Sequence, residues 1–215
     1  MKNEFIYNQL SWLYDVPFGL TLREGHEIAA QEIEAAQARC QGEFKVAELG
    51  VGPGHSLPFY PEGTHLTGID LSESMVKKAN ERLHNFPKIS GEIKMMDATE
   101  TDLPDNTYDL VTSFSVITVV NQPEKLLKEA VRICKPGGRI LIVGRLQRRG
   151  LFDLIFRNLT DQLTQHTLGF GTKLNQNVYD AIAGQVKFIE RKPVNHIGPF
   201  FSLSDMMILE KVKSL

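Results

Sequence analysis

A glycine-rich turn between two predicted strands constrains this chain more than any other feature. An apolar strand ends in Glu48, and glycines follow at every second position, Gly50, Gly52 and Gly54. The next apolar strand ends in Asp70, about twenty residues further on. Glycines at a strand-to-helix turn let the backbone come close to a ligand, and a carboxylate at the tip of the next strand can accept two hydroxyl hydrogen bonds. The pattern predicts a nucleoside-binding crevice at the carboxyl ends of parallel strands.

The spacing of the glycines separates two kinds of nucleotide site. A dinucleotide site needs G-x-G-x-x-G, but counted from Gly50 the third glycine position is His55, and the glycine stands one place earlier. The pattern E-x-G-x-G-x-G resembles the first motif of the class I S-adenosylmethionine-dependent methyltransferases. That resemblance implies that Glu48 lies near the amino-acid part of this cofactor, whose product form is S-adenosylhomocysteine. The alternative is a glycine-rich loop that merely turns.

Hydrophobic periodicity predicts alternating strands and helices. We expect strands at 44–50, 65–70, 91–97, 108–115, 138–144, 186–192 and 203–212. We expect helices at 3–14, 21–39, 73–84, 123–134, 150–168 and 176–184. Alternation of this kind indicates a parallel sheet with right-handed crossovers, but the loop at 193–199 is too short for a crossover, so the last two strands form an antiparallel hairpin. The predicted fold class is α/β, a Rossmann-like doubly wound sheet, mostly parallel, with helices on both faces. Its closing hairpin resembles the seven-stranded methyltransferase sheet.

Length and composition bound the organisation of the chain. Its 215 residues indicate a single domain, which we divide into an N-terminal helical lid (1–40), a cofactor-binding core (41–145), a helical cap (146–185) and a closing hairpin (186–215). The net charge of −2 produces no overall positive electrostatic potential that would favour binding to nucleic acid. Cys40 and Cys134 are far apart and read as free thiols of a reducing cytosol. The six histidines form no ligand pair of known spacing, so we predict no metal site.

Two further motifs extend the resemblance along the chain. Asp70-Leu71-Ser72 resembles the family's second motif, whose acid binds both ribose hydroxyls; the alternative is an acid that caps the next helix. Asp97, after the third strand, corresponds to the acid that accepts from the adenine amino group in that family, and the backbone amide of Ala98 to the one that meets the ring nitrogen beside it. An aspartate after a strand is also an ordinary loop residue. The remaining candidate cofactor residues are Leu71, Met75, Ser113 and Ser115. We expect Asp109 to orient backbone where the fourth strand begins and to take no part in chemistry.

The flanking segments resemble a narrower group, the soluble bacterial phosphatidylethanolamine N-methyltransferases. The resemblance rests on Tyr7, Tyr14-Asp15 and Phe18, on the stretch from Gly50 to Pro61, on 116–123 and on the closing hairpin. One departure is the segment Gly144-Arg145-Leu146, where that group has Asn-His and an apolar residue. The resemblance therefore implies the cofactor, and it leaves open a smaller amine or another lipid headgroup as the acceptor.

The predicted function is methyl transfer to an amine such as a phospholipid headgroup, with Tyr7 and Tyr14 as lid residues that orient the acceptor. Tyr60 and His196 are further candidates for that role. The alternative is a C- or O-methyltransferase of a small aromatic or quinone-like acceptor, for which His55 or His196 would serve as base. A third reading is a noncatalytic protein that binds the cofactor.

The amphipathic N-terminal helix, which carries Trp12, could lie in a membrane interface. Arg145, Arg148 and Arg149 could meet a lipid phosphate. Each of these features has an alternative explanation. The helix could be a lid that packs on the protein's own core, and the arginines could be solvated at the surface. The expected location is the cytoplasm, with or without peripheral contact at the inner membrane surface, and the sequence leaves the oligomeric state open.

Overall fold

The fold is built on one seven-stranded sheet. A computed structural model describes residues 17–144, 177–197 and 201–213. Its strands are β1 (Phe44–Leu49), β2 (Thr64–Asp70), β3 (Ser90–Met95), β4 (Tyr108–Phe114), β5 (Cys134–Gly144), β6 (Val186–Ile197) and β7 (Phe201–Lys211). They lie in the order β3-β2-β1-β4-β5-β7-β6. The first five pair in parallel, and β7 is antiparallel to both β5 and β6. The predicted α/β class, with its mostly parallel sheet and closing hairpin, is confirmed.

Helices cover both faces of the sheet. The described helices are α1 (Pro17–Gln37), α2 (Glu73–Leu83), α3 (Pro123–Ile133) and α4 (Asn177–Asp180), with short 3-10 turns at Leu57–Phe59 and Val116–Thr118. Each longer helix buries one apolar stripe, as a helix that covers a sheet must. Ala29, Ile33 and Ala36 of α1 share one buried cluster with apolar residues of α2 and the sheet, whereas α3 and α4 pack into the cluster on the opposite face. Because both faces are covered, the central strands are buried throughout.

Most predicted elements lie where they were expected, and the differences have local causes. Helix α1 is described from Pro17 to Gln37, where the sequence predicts a helix at 21–39. Strand β5 begins at Cys134 and not at 138, because the segment 135–138 forms an irregularity within the strand opposite Tyr108 and Leu110. The Lys-Pro-Gly-Gly stretch is therefore part of a strand.

The closing hairpin is longer than predicted. Strand β6 continues through the expected loop to Ile197, and β7 begins at Phe201. Pro193 is tolerated because β6 is an edge strand. Helix α4 covers only part of the predicted helix at 176–184 and is followed by turns. The helices predicted at 3–14 and 150–168 lie outside the described residues. The division into lid, core, cap and hairpin stays a prediction.

Candidate functional site

The glycine loop between β1 and the first 3-10 turn occupies backbone conformations that favour glycine. Gly50, Gly52 and Gly54 have φ angles of 79°, 55° and 83°. A Cβ on Gly50 would overlap the Val116 side chain, and one on Gly54 would lie 2.7 Å from Leu57 Cδ1. A Cβ on Gly52 would meet no atom of the described part of the chain within 4 Å. Packing thus explains the outer two glycines, whereas the central one faces open space that a ligand could occupy.

The carboxylate of Asp70 connects this loop to the next strand. Its Oδ2 accepts the backbone N–H of Gly52 at 2.9 Å, and its Oδ1 accepts that of Ser72 at 2.9 Å. Burial raises the pKa of Asp70, while these backbone hydrogen bonds act in the opposite direction. Ser72 is the N-cap residue that precedes α2, so Asp70 orders the chain just before this helix without capping the helix itself. The backbone N–H of Leu71 also bonds to this carboxylate. Its two oxygens have about four acceptor positions in all, so acceptor capacity remains for a ligand hydroxyl.

Glu48 points into the interior. It is 1% exposed, and its Oε2 accepts the hydroxyls of Ser56 at 2.7 Å and Tyr60 at 2.9 Å. The Tyr60 hydroxyl also lies 2.7 Å from Thr112 Oγ1. Burial raises the pKa of Glu48 to about 7. This arrangement fastens the segment after the glycine loop to strands β1 and β4. The predicted contact of Glu48 with a cofactor stays a prediction, and the Tyr60 hydroxyl is already engaged.

The ends of β2 and β3 form an exposed apolar rim. Leu71 is 54% exposed and Met95, which pairs with Asp70, is 62% exposed. Asp97 lies just beyond β3, where its Oδ1 accepts the backbone N–H and the hydroxyl of Thr99. Ala98, next to it, is buried. Two exposed apolar side chains beside two carboxylates fit the flat apolar face and polar edge of a nucleobase. Met75, another predicted cofactor residue, is 7% exposed and lies in the buried stripe of α2.

The end of β4 forms the wall beside the glycine loop. The Ser113 hydroxyl is fully buried and has no hydrogen-bond partner among the residues that the structure describes. Ser115 has φ 66°, and its N–H bonds to the Val143 carbonyl at 2.7 Å. This turn places Val116 against Gly50. The structure therefore brings Asp70, Asp97, Leu71, Ser113 and Ser115 to the carboxyl edge of the sheet, the edge at which the glycine loop lies.

Asp109 has the structural role that the sequence suggested. Its Oδ2 accepts the backbone N–H of Lys45 at 3.0 Å, and its Oδ1 accepts Lys135 Nζ at 2.7 Å. These contacts join β1, β4 and β5 where the strands begin, at the edge opposite the glycine loop.

A second group of polar and aromatic residues lies where α1 crosses the carboxyl edge, and sequence reasoning missed most of it. The His26 ring is buried, stacks on Phe59 at 5.4 Å between centroids, and meets Phe114 at 4.6 Å. Phe59 follows the glycine loop and Phe114 ends β4. No motif marked His26, because a lone histidine in a helix carries no spacing signal. The structure thus adds α1 to the elements around the site.

The same part of α1 is attached to the closing hairpin. The carboxylate of Glu24 accepts the backbone N–H and the Nδ1–H of His196, both at 2.6 Å. Asn195, with φ 59°, accepts the backbone N–H of Gly25 at 2.7 Å through its Oδ1. Its Nδ2 is buried, and no group within 17–144, 177–197 and 201–213 forms a hydrogen bond with it. These contacts form a histidine–carboxylate pair between the closing hairpin and α1, the helix that also carries His26.

His55 directly follows the glycine loop, and several other predicted residues lie outside the described residues. The Nδ1 of His55 lies 2.9 Å from Arg82 NH1 of α2. The candidate lid residues Tyr7 and Tyr14, with Trp12, lie outside the described residues. So do the basic residues Arg145, Arg148 and Arg149. Within 17–144, 177–197 and 201–213, no group of three His, Cys, Asp or Glu side chains could hold a metal ion. No helix in these ranges is long and apolar enough to cross a membrane.

Comparisons with known proteins agree with this geometry. Residues 47–142 match the family described as the methyltransferase domain. The chain is 35% identical over 137 residues to a phosphatidylethanolamine N-methyltransferase of Cereibacter sphaeroides, covering 63% of this chain and 64% of the relative. It is 30% identical over 168 residues to a demethylmenaquinone methyltransferase of Clavibacter sepedonicus, covering 74% and 66%. The chain thus spans less than two thirds of either relative. A SAM-dependent methyltransferase structure from Aquifex aeolicus has a TM-score of 0.62 at 19% identity, covering 95% and 98% of the two chains, which shows a shared fold.

Proposed function

From the match of residues 47–142 to the methyltransferase domain family, we propose that the chain is a member of this family and transfers a methyl group from S-adenosylmethionine to an amine acceptor. Asp70 would hold the ribose, and the rim formed by Leu71 and Met95 would hold the adenine beside Asp97. The glycine loop would approach the amino-acid part through the open space over Gly52. The described residues fit this cofactor because the open space, the exposed apolar rim and the buried Ser113 hydroxyl lie at one edge.

One observation carries the cofactor assignment. The Asp70 carboxylate is fixed by the N–H groups of Gly52 and Ser72, each at 2.9 Å. A carboxylate oriented by backbone groups on both sides is preorganised, so a diol meets a fixed pair of acceptors without the entropy cost of ordering the side chain.

Methyl transfer requires little from the protein beyond binding and orientation of the cofactor and the acceptor. The cofactor supplies a methyl group already activated on a sulfonium. The chain must then place a nucleophile about 3 Å from that methyl group and exclude water. The elements available for this are the glycine loop, the end of β4 and the His26 segment of α1. Tyr7 and Tyr14 stay proposed lid residues whose ring faces would favour a cationic acceptor.

Support for an amine comes from the phosphatidylethanolamine N-methyltransferase relative, which shares 35% identity with this chain. The second candidate function is C- or O-methylation of a quinone-like acceptor, supported by the demethylmenaquinone methyltransferase relative. The two candidates share the cofactor site and differ at the acceptor side. A noncatalytic cofactor-binding protein is the third candidate.

Calorimetric titration tests the cofactor first. We expect S-adenosylhomocysteine to bind wild type and to bind Asp70→Ala at least about tenfold more weakly, because a hydrogen bond to a charged group contributes about 1.5–3 kcal/mol. Asp102→Ala, an exposed acid away from the glycine loop, is the matched control and should bind like wild type. Absence of binding to wild type would refute the proposal.

Transfer of labelled methyl groups then distinguishes the acceptors. Vesicles that contain phosphatidylethanolamine, soluble phosphoethanolamine and a reduced naphthoquinone represent the candidate classes. Label in either amine supports the amine, and label in the quinone alone supports the second candidate. Binding of cofactor with no transfer to any acceptor would indicate the noncatalytic alternative.

We also propose cytoplasmic residence with peripheral membrane contact through the N-terminal helix. The support is the amphipathic pattern of 3–14 with Trp12. Vesicle flotation checks this: we expect binding to anionic vesicles, and recovery of all the protein in the lipid-free fraction would contradict it.

A further inference from the structure

The pair formed by Glu24 and His196 has a fixed proton arrangement. The backbone N–H of His196 lowers the pKa of Glu24, so this side chain is a carboxylate at neutral pH. A carboxylate can only accept hydrogen bonds. Nδ1 of His196 must therefore carry the hydrogen that faces Glu24 at 2.6 Å, and in the neutral ring Nε2 is left as the basic atom. The His196 side chain is 35% exposed, so the ring is accessible.

The pair lies at the carboxyl edge of the sheet, as the cofactor residues do, but on the terminal strand β6, three strands from β4. Strand β6 is antiparallel to β7, which is antiparallel to β5, so β6 runs in the direction of the parallel strands. Its end is therefore on the carboxyl edge. The hairpin also extends past β5: Gly144, the last residue of β5, pairs with Asp205, whereas His196 pairs with Ser202 further along. On α1, His26 follows Glu24 by two residues and contacts the end of β4.

We propose that His196, oriented by Glu24, is the residue that accepts the proton of a primary ammonium acceptor before methyl transfer. This inference rests on the proposed function and names its substrate class. An ammonium group is attracted to the nearby Glu24 carboxylate, and Nε2 of the neutral imidazole can take its proton. The source of the ammonium, a lipid headgroup or a soluble ethanolamine derivative, is for the experiment to decide.

The proposed step balances in protons and electrons. One proton passes from the ammonium to Nε2 of His196, which leaves a neutral amine and an imidazolium that Glu24 stabilises. The amine lone pair forms the new N–C bond as the C–S bond of the sulfonium breaks, and its electron pair stays on sulfur. The methylated nitrogen carries the positive charge, and the exposed imidazolium then releases its proton to water.

A second ion pair between the same two elements provides a matched control. Lys192 Nζ of β6 lies 2.7 Å from Glu32 Oε1 of α1, as close as the pair with His196 but without an imidazole. Lys192 also lies 3.2 Å from Glu190. Among the described residues of the same elements, Arg23 is paired with Glu27 on α1, and Arg191 of β6 with Asp205 of β7. A purely structural role predicts similar effects from breaking either α1–β6 pair.

The first test is the pH profile of His196→Asn with each amine source, phosphatidylethanolamine vesicles and phosphoethanolamine. We expect kcat/KM at pH 7 to fall by about 10²-fold, the lower end of general-base contributions, with cofactor affinity unchanged. The loss should disappear near pH 10, where an alkyl amine is deprotonated in solution. Lys192→Met should keep the wild-type profile. If His196→Asn keeps that profile as well while wild type methylates the amine, the inference is wrong and the proposed function stands.

The second test does not need turnover. In the S-adenosylhomocysteine complex, nitrogen NMR should show neutral His196 protonated on Nδ1. Phosphoethanolamine, or bicelles with phosphatidylethanolamine, should shift the Nε2 resonance of His196. The corresponding choline compounds have no ammonium proton to donate and should leave this resonance unchanged. The resonances of His84, the internal reference, should not shift with any of these additions. An unchanged Nε2 resonance with both amine sources overturns the inference. Transfer by wild type to the naphthoquinone alone would overturn the amine acceptor and this inference together.

Discussion

At the scale of single residues, the three loop glycines are present for different reasons. Gly50 and Gly54 leave room for Val116 and Leu57, whereas no atom of the described residues lies within 4 Å of a Cβ placed on Gly52. Its N–H is bonded to Asp70, so the backbone there is fixed as well as open. A fixed, open backbone is the feature expected where a ligand approaches closely.

Gly52→Ala tests this reading, with Gly184→Ala as the control. Both glycines have positive φ, 55° and 77°, and both would place a Cβ in open space. We expect both variants to lose about 1–2 kcal/mol of unfolding free energy, since an L side chain disfavours this conformation. Only Gly52→Ala should also lose affinity for S-adenosylhomocysteine, by at least about tenfold. Calorimetry and denaturant unfolding measure the two effects separately, and equal affinities in the two variants would contradict the assignment.

At the scale of elements, helix α1 is held against the closing hairpin by close contacts. Gly25 lies so close to Asn195 that a Cβ on it would be 2.8 Å from the amide oxygen. Glu24 and Glu32 bond to His196 and Lys192 on either side of this contact. The hairpin therefore fixes the rotation of α1 about its own axis, and with it the direction in which His26 points.

Gly25→Ala should therefore destabilise the protein even though alanine favours helices by about 1 kcal/mol over glycine. We expect a net loss of about 1–3 kcal/mol from overpacking against Asn195. Combining it with Asn195→Gly removes the clash and keeps the positive φ of that position, so the double variant should recover part of the loss. Urea unfolding of the four proteins in the cycle gives the coupling energy. A coupling near zero would mean that the contact does not set the position of α1.

At the scale of the whole molecule, a sheet covered on both faces encloses a titratable group at its centre. Glu48 has a pKa raised from 4.5 to about 7 by burial. Between these values the unfolded chain has released the proton that the folded chain retains. The contribution of the neutral carboxyl to stability is therefore complete below about pH 4.5, and it is lost as pH rises through about 7.

Glu48→Gln should make the stability of the protein less dependent on pH. The substitution keeps an oxygen acceptor for Ser56 and Tyr60 and removes the titration. We expect the unfolding free energy of the variant, relative to wild type, to increase from pH 5 to pH 8 by up to about 3 kcal/mol, the equivalent of the shift. Glu129→Gln is the control: burial raises the pKa of Glu129, but hydrogen bonds from Arg132 and Thr101 outweigh this and lower it, so its relative stability should be constant in that range. Parallel pH curves for wild type and Glu48→Gln would contradict the prediction.

Local patterns were sufficient for much of the fold. Apolar runs, the glycine loop and the prolines predicted five parallel strands, their helices and the antiparallel hairpin, because each of these depends on residues close in sequence. The irregularity in β5 escaped prediction, since Lys-Pro-Gly-Gly ordinarily makes a turn and its inclusion in a strand depends on pairing with β4. The extent of β6 beyond Pro193 escaped it for the same reason, because only its place at the edge of the sheet makes proline acceptable.

The sequence by itself determined the cofactor edge: the order of glycines and acids around Asp70 follows the strand ends, and strand ends are local features. The tertiary structure alone decided what the acids and histidines do. It turned Glu48 inward to Ser56 and Tyr60, and it brought Glu24 to His196 across 172 positions of the chain. Contacts of this separation depend on how α1 and the hairpin pack on one sheet, and no spacing along the chain encodes that geometry.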